Sequence, residues 1–255
     1  MKLKQYTIGK AKPLIIVPVT ETGQEEILNA ARQAVCQGVD ALEWRIDWFE
    51  QASHWSRVQE ILLDLAKICE HKILLCTFRT RQQGGQRELT EEVYLELLEE
   101  IAKSGLADLL DVEVPQLSDV STMIGQLQNA GQRVIGSSHY FSGTPETDQM
   151  KQELMEMYRA GADIAKLAVM PKSRLDVLRL MEVTAQVKEE IPDYPLVTMA
   201  MGGLGAISRV SGQLSGSCMT FASIGKASAP GQLTVKDTAM ILDKISESMD
   251  HNNEI

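Results

Sequence analysis

Residues 133–170 read RVIGSSHYFSGTPETDQMKQELMEMYRAGADIAKLAVM, and the alternation inside this stretch decides the fold. A short apolar run at 133–138 gives way to a charged segment that ends at Gly161, and a second apolar run follows at 163–167. Strand, helix, strand is the βα unit of a parallel sheet, because parallel neighbours need a long crossover and a helix supplies it. Working outward, the unit recurs. Apolar runs lie at 14–17, 41–45, 73–78, 108–112, 133–138, 163–167, 196–200 and 218–221, with starts about 25 to 35 residues apart, one βα unit each. Between them, segments such as 25–37, 90–103 and 173–190 place apolar residues three and four apart with charges between, the pattern of helices with one face on a sheet. Thr90 ahead of Glu91 and Glu92 predicts a helix N-cap, and Gly38, Gly105, Gly131 and Gly161 each follow a helical stretch just before the next strand, where helix ends favour glycine.

Eight units without a linker predict one (β/α)8 barrel domain over residues 1–255, with the lead segment 2–8 as a short extra strand closing the bottom. An open doubly wound sheet is the competing architecture, but no GxGxxG follows the first run. In a barrel, chemistry belongs at the carboxyl ends of the strands.

The hydrophobic fraction of 44% and charged fraction of 24% are those of an ordinary globular protein. With a net charge of −10 and its 25 basic residues scattered, the chain would be repelled by nucleic acid and by anionic membranes, so neither is an expected partner. The apolar stretch at 14–19 is broken by Pro18 and is too short for a signal or a spanning helix, which predicts a cytoplasmic protein. Cys36, Cys69, Cys76 and Cys218 form no CxxC pair and fit reduced core thiols. Cys69, His71 and Cys76 match no common zinc spacing, and no metal is expected.

Lys166 stands inside Ile164-Ala165-Lys166-Leu167-Ala168-Val169-Met170, where burial would disfavour the charged form and leave a free amine able to attack a ketone. A lysine paired with a buried carboxylate is the structural alternative. His139 directly follows the neighbouring run 133–138, so the two side chains can share one pocket, and an imidazole can take and return a proton in one cycle. Asp111 and Glu113 share one face of their strand, and Asp111 is the preferred carboxylate to orient His139. Glu43 and Arg45 also share a face, while Arg79 and Arg209 exit two further strands. Several guanidinium groups converging on one cavity suit a small anionic substrate. After the last strand, residues 223–232 are rich in small and turn-forming residues and read as a loop that can close, with Ser228 and Gln232 offering hydrogen bonds to hydroxyls.

Taken together, Glu43-Trp44-Arg45-Ile46-Asp47, Thr77-Phe78-Arg79, His139, Ala165-Lys166-Leu167-Ala168-Val169-Met170-Pro171, Ile207-Ser208-Arg209 and Ser228-Ala229-Pro230-Gly231-Gln232 resemble type I 3-dehydroquinate dehydratases in order and spacing over nearly the full chain. The resemblance implies a (β/α)8 barrel, commonly dimeric, that needs no metal or organic cofactor. It implies that Lys166 forms an imine with the ketone of 3-dehydroquinate and that His139 removes the neighbouring proton, then helps expel water and hydrolyse the product imine. Arg209 would hold the substrate carboxylate, while Glu43, Arg45, Arg79, Ser228 and Gln232 would place its hydroxyls. The product, 3-dehydroshikimate, feeds aromatic amino-acid synthesis through the shikimate pathway.

Some positions depart from the family pattern. Tyr140 stands where an aspartate is frequent, Gln83 and Gln86 replace glutamates common after Arg79, and Pro18 ends the first strand where some members have serine. Two other functions use the same residues: a different Schiff-base lyase or aldolase acting on a keto acid, and a silent barrel that binds a carboxylate metabolite. The loop at 228–232 together with Arg209 separates the first, and the intact Lys166 and His139 argue against the second.

Overall fold

Each apolar run becomes a strand, and the strands stand side by side in chain order. A computed structural model describes residues 1–9, 12–225 and 231–250. The barrel strands are β3 (Leu14–Val19), β4 (Ala41–Arg45), β5 (Ile73–Thr77), β6 (Leu109–Glu113), β7 (Arg133–Tyr140), β8 (Ile164–Val169), β9 (Leu196–Ala200) and β10 (Met219–Phe221). From β3 to β9 each pairs in parallel with its sequence neighbours, and β10 returns to pair with β3. Only the seam between β9 and β10 is thin, closed by a bridge from Leu196 to Ser217 and by the Cys218 N–H donating to the Leu196 carbonyl at 2.7 Å.

Helices α1 (Gln24–Cys36), α2 (Trp55–Ile68), α3 (Glu91–Ser104), α4 (Val120–Asn129), α5 (Thr147–Arg159), α6 (Arg174–Glu190) and α9 (Val235–Asp250) lie between the strands or after the last, with short α7 (Ala206–Val210) and α8 (Gly212–Ser215) ahead of β10. Their starts and stops are local chemistry. The Thr90 side chain accepts from the Val93 N–H to cap α3, which ends at Gly105 with φ +62°, a left-handed turn that costs glycine little. Ser173 and Asp176 close a reciprocal capping box at the start of α6. Among the described residues, no helix is long and apolar enough to cross a membrane.

Alternation along the strands makes two cores. Outward residues such as Leu42, Trp44, Leu74, Val112 and Leu167 are buried under the helices. Inward residues Ile16, Ala41, Ile73, Leu109, Ile135, Ile164, Val197 and Met219 fill the barrel interior. One or two inward positions further along, the same faces carry Glu43, Arg45, Thr77, Asp111, Glu113, Ser137, His139 and Lys166. The interior is thus apolar low and ionic high.

Three details differ from the sequence expectation. The lead segment is a hairpin of two antiparallel two-residue strands, β1 (Lys2–Leu3) and β2 (Tyr6–Thr7). It plugs the bottom with buried Ile8, and the Lys4 ammonium grips the Cys69 and Lys72 carbonyls at 2.8 and 2.6 Å and the Asp108 carboxylate at 2.7 Å. Next, β7 runs two residues longer than the apolar run, because His139 and Tyr140 pair with Ala168 and Val169. Finally, Pro18 does not end β3, which continues to Val19. The last pairing with β10 is Phe221 to Ile16, so Pro18 lies where β3 has become an edge on that side, a place that tolerates a missing N–H donor.

Candidate active site

A cavity of about 150 Å³ opens at the carboxyl ends of the strands. Glu43, Arg45, Arg79, His139, Lys166, Arg209 and Gln232 all line it. Ser228 lies outside the described residues. Asp111 sits one layer beneath, fully buried. A larger groove of about 690 Å³ is bordered by α6, α8 and α9, but its two lysines are already engaged, Lys12 by Asp243 and Lys188 by the Tyr194 carbonyl. The smaller cavity holds the reactive groups.

Lys166 is 3% exposed, in the third position of β8. The amine is not left uncompensated. Its Nζ donates to Asp111 Oδ2 at 2.9 Å, lies 3.7 Å from Glu43 Oε1, and stands 4.8 Å over the Phe221 ring. The carboxylate-paired alternative therefore describes the resting side chain, and the isolated neutral amine does not. The physical reason is that two inward carboxylates on β4 and β6 reach the barrel axis at the height of the lysine, where a bare ammonium would be costly.

His139 is half-buried, with its Nδ1 sealed from solvent and unpartnered among the described residues. Burial first, then the charges of Arg79 and Lys166, push its pKa well below the usual imidazole value. The ring is therefore neutral at pH 7. Asp111 does not form the orienting hydrogen bond expected of it. Its Oδ1 accepts from Ser137 Oγ at 2.6 Å and faces Arg79 at 2.9 Å, and its Oδ2 is taken by Lys166. What fixes the histidine backbone is Gln83, whose Oε1 accepts from the His139 N–H at 2.7 Å.

Arg79 is held by carboxylates on both sides, 2.9 Å from Asp111 and 2.9 Å from Glu113. Burial alone would drive the Asp111 carboxyl up, but Arg79 and Lys166 overcome it and hold Asp111 well below the usual carboxylate range. For Glu113 the balance goes the other way: burial outweighs Arg79 and the Thr80 hydrogen bonds and raises it. Arg45 makes a two-pronged pair with Asp47, both contacts at 2.8 Å. Arg209 is different. It is 4% exposed, and among the described residues its Nε has no partner and its Nη1 meets only the weakly accepting Met199 sulfur, at 3.8 Å. Burial lowers its pKa to about 10, which still leaves it cationic at neutral pH. A buried guanidinium without a carboxylate is poised for an anion.

Removing Asp111 would take from Arg79 one of its two carboxylates and leave Lys166 with Glu43 alone, at 3.7 Å. Asp111→Ala is expected to cost about 3 to 5 kcal/mol of stability in urea unfolding, the usual penalty for breaking a buried pair. Because this carboxyl is held low in the folded state, the stabilisation is present at neutral pH and fades as pH falls below about 4, through the unfolded value toward the folded one. An unchanged unfolding midpoint at neutral pH would contradict the ion-pair account.

Ser137, Thr77 and Thr80 are partners within the site that the sequence did not single out, and Gln83 is one that stood out only as a departure from the family pattern. Thr77 donates to Glu43 Oε1 at 2.9 Å, and Thr80 donates to Glu113 from both its N–H and its hydroxyl. Ser137 and Thr77 were recoverable, since each stands two residues before a chosen residue and strand alternation puts both on the inward face. For Gln83 only the comparison with the family pattern gave a signal, because a loop residue has no period.

The arrangement is that of a (β/α)8-barrel enzyme, with a buried amine, a neutral imidazole and a buried guanidinium around one carboxyl-end cavity. The model of the family described as type I 3-dehydroquinase matches residues 15–249. A 3-dehydroquinate dehydratase of Klebsiella pneumoniae is 38% identical over 245 residues, covering 96% of this chain and 98% of that protein. The Enterococcus faecalis 3-dehydroquinate dehydratase is 39% identical over 92% of this chain and 93% of its own length. A crystal structure of the Clostridium difficile type I 3-dehydroquinate dehydratase, with covalently modified comenic acid, superposes with a TM-score of 0.94 at 34% identity, covering 97% of this chain and 98% of that one. The chain belongs to the type I 3-dehydroquinase family.

Proposed function

We propose that this barrel dehydrates 3-dehydroquinate to 3-dehydroshikimate in the shikimate pathway, through an imine on Lys166. The observation that carries the site assignment is the convergence on one cavity of the amine, the neutral imidazole and Arg209, which has no carboxylate partner among the described residues. The Lys166 ammonium gives up one proton to solvent as the substrate enters, which leaves His139 neutral. The free amine adds to the substrate ketone, and the carbinolamine hydroxyl takes a proton back and leaves as water, giving an iminium. The positive charge stays on the same nitrogen, so the carboxylates of Asp111 and Glu43 that hold the ammonium also suit the iminium without rearrangement.

His139 then removes the proton next to the iminium carbon, whose electrons drain into the C=N bond to give an enamine. The enamine pushes out the hydroxyl, which leaves as water with the proton from His139, and hydrolysis of the product imine returns the amine. Arg209 pairs with the substrate carboxylate, and Glu43, Arg45, Arg79, Gln232 and Ser228 meet its hydroxyls. The aldolase alternative is not favoured by the family, and the silent-barrel alternative fares no better with both reactive side chains in the cavity.

The test is the absorbance rise of the conjugated enone after 3-dehydroquinate is added, together with borohydride trapping of the substrate on Lys166. Folded protein that gives neither signal would overturn the assignment. Arg209→Ala is expected to lower kcat/KM by about 10²- to 10³-fold, mostly through KM, as for loss of one partner of a buried charge pair. An unchanged KM would remove Arg209 from substrate binding.

The chain is proposed to work as a cytoplasmic homodimer of one-domain barrels, the assembly common in the family. Four exposed apolar residues support self-association: Leu175 and Leu178 on α6, Leu204 in the turn just before α7, and Ile207 in α7.

A further inference from the structure

We propose that Phe141 is a positioning residue for His139: its ring, seated on Gly84, covers and orients the imidazole, a role that rests on His139 being the proton-transfer group. Phe141 follows the end of β7, lines the cavity mouth, and is 46% exposed. Exposure of one phenylalanine is not informative by itself. Its placement is. The Phe141 and His139 rings lie 15° from parallel with centroids 6.4 Å apart, within the range of offset aromatic contact.

The seat for that ring is cut by a glycine. A Cβ on Gly84 would stand 2.2 Å from Phe141 Cζ, and Gly84 has φ +85°, so both space and backbone exclude another residue. The seat is also rigid. A Cβ on Gly85 would lie 1.7 Å from the Arg79 carbonyl, which shows how closely this turn presses on the end of β5. The residue before Gly84 is Gln83, which holds the His139 N–H. Two successive residues of one turn thus grip the histidine backbone and the cover over its ring. The turn and the strand end interlock.

A cover of this kind excludes water from the imidazole and disfavours its protonated form. Arg79 at the end of β5, Lys166 on β8 and Arg45 at the end of β4 act in the same direction, while Asp111 on β6 opposes them. Gln83 and Phe141 bring no charge. Removing the ring would wet the imidazole and raise its titration point, so that more of the base is protonated at mildly acidic pH.

The experiment is NMR titration of the histidine ring signals, with His139 assigned by comparison with His139→Ala among the four histidines. Wild type, Phe141→Ala, Phe141→Tyr and Gly84→Ala are compared, and the pH profile of kcat/KM is measured for each. In Phe141→Ala and Gly84→Ala the His139 titration point and the acid limb are expected to move up together. At a fixed pH on the acid side of that limb, each tenfold gain in the proton affinity of the ring lowers kcat/KM about tenfold, while borohydride trapping on Lys166 persists. Phe141→Tyr is expected to keep the wild-type profile. A Phe141→Ala protein that folds with both titration and acid limb unchanged overturns the proposal, and if Gly84→Ala fails to fold, Phe141→Ala decides alone. Near-normal turnover by His139→Ala would instead remove the proton-transfer role, and the titration would still report whether Phe141 covers the ring.

Discussion

Lys166→Ala is expected to lower turnover of 3-dehydroquinate by at least about 10⁴-fold, the scale of losing a covalent nucleophile, and to abolish the borohydride-trapped adduct. The imine is what makes the adjacent proton acidic, because only a cationic C=N bond accepts the electrons released when that proton leaves. Without it, His139 faces a ketone whose enolate has no comparable sink. The variant should fold, since Asp111 retains Arg79 and Ser137 as partners and Glu43 retains Thr77. Activity loss in a protein with wild-type unfolding behaviour would therefore report chemistry. Trapped adduct in Lys166→Ala would assign the imine to another amine.

His139→Ala is expected to separate the two halves of the reaction. Turnover falls by about 10²- to 10⁴-fold, the usual contribution of a positioned acid–base group, while the amine on the adjacent strand still forms its imine. Substrate therefore accumulates on Lys166, and borohydride should trap a larger fraction of the protein than in wild type. The pH dependence has a definite sign. A base must be unprotonated to act, and burial with neighbouring cations holds His139 below the ordinary imidazole value. The acid limb of kcat/KM in wild type should fall below pH ~6.5. A limb at or above that value would mean that the ring is wetter than its surroundings indicate, and near-normal turnover in His139→Ala would take it out of proton transfer.

Much of the fold was legible because parallel strands buried on both faces read as continuous apolar runs and the helices between them read at a different period. β4 and β9 begin and end where the runs at 41–45 and 196–200 do. The errors were local. β7 extends through His139 because pairing with β8, not hydrophobicity, sets a strand end, and the hairpin of β1 and β2 is too short to carry any period.

For the site, the residues themselves were legible and their pairings were not. Lys166 in an apolar run, His139 beside it and carboxylates two apart on β6 are matters of composition and alternation, which a linear chain displays. Whether Asp111 would turn to the histidine or to the lysine depends on which side chains from β4, β5, β7 and β8 meet at one height in the barrel. That height is set by the stagger between strands, a property of ring closure that no strand carries alone. So the sequence by itself determined the barrel, the inward faces and the reactive side chains, through periodicity and local chemistry. Tertiary structure alone decided that the lysine rests in an ion pair, that Arg209 has no carboxylate partner among the described residues, and that a glycine turn from β5 seats an aromatic ring over the histidine on β7. Ion pairs and ring contacts between distant segments depend on distance in space, and closing the barrel is what creates those distances.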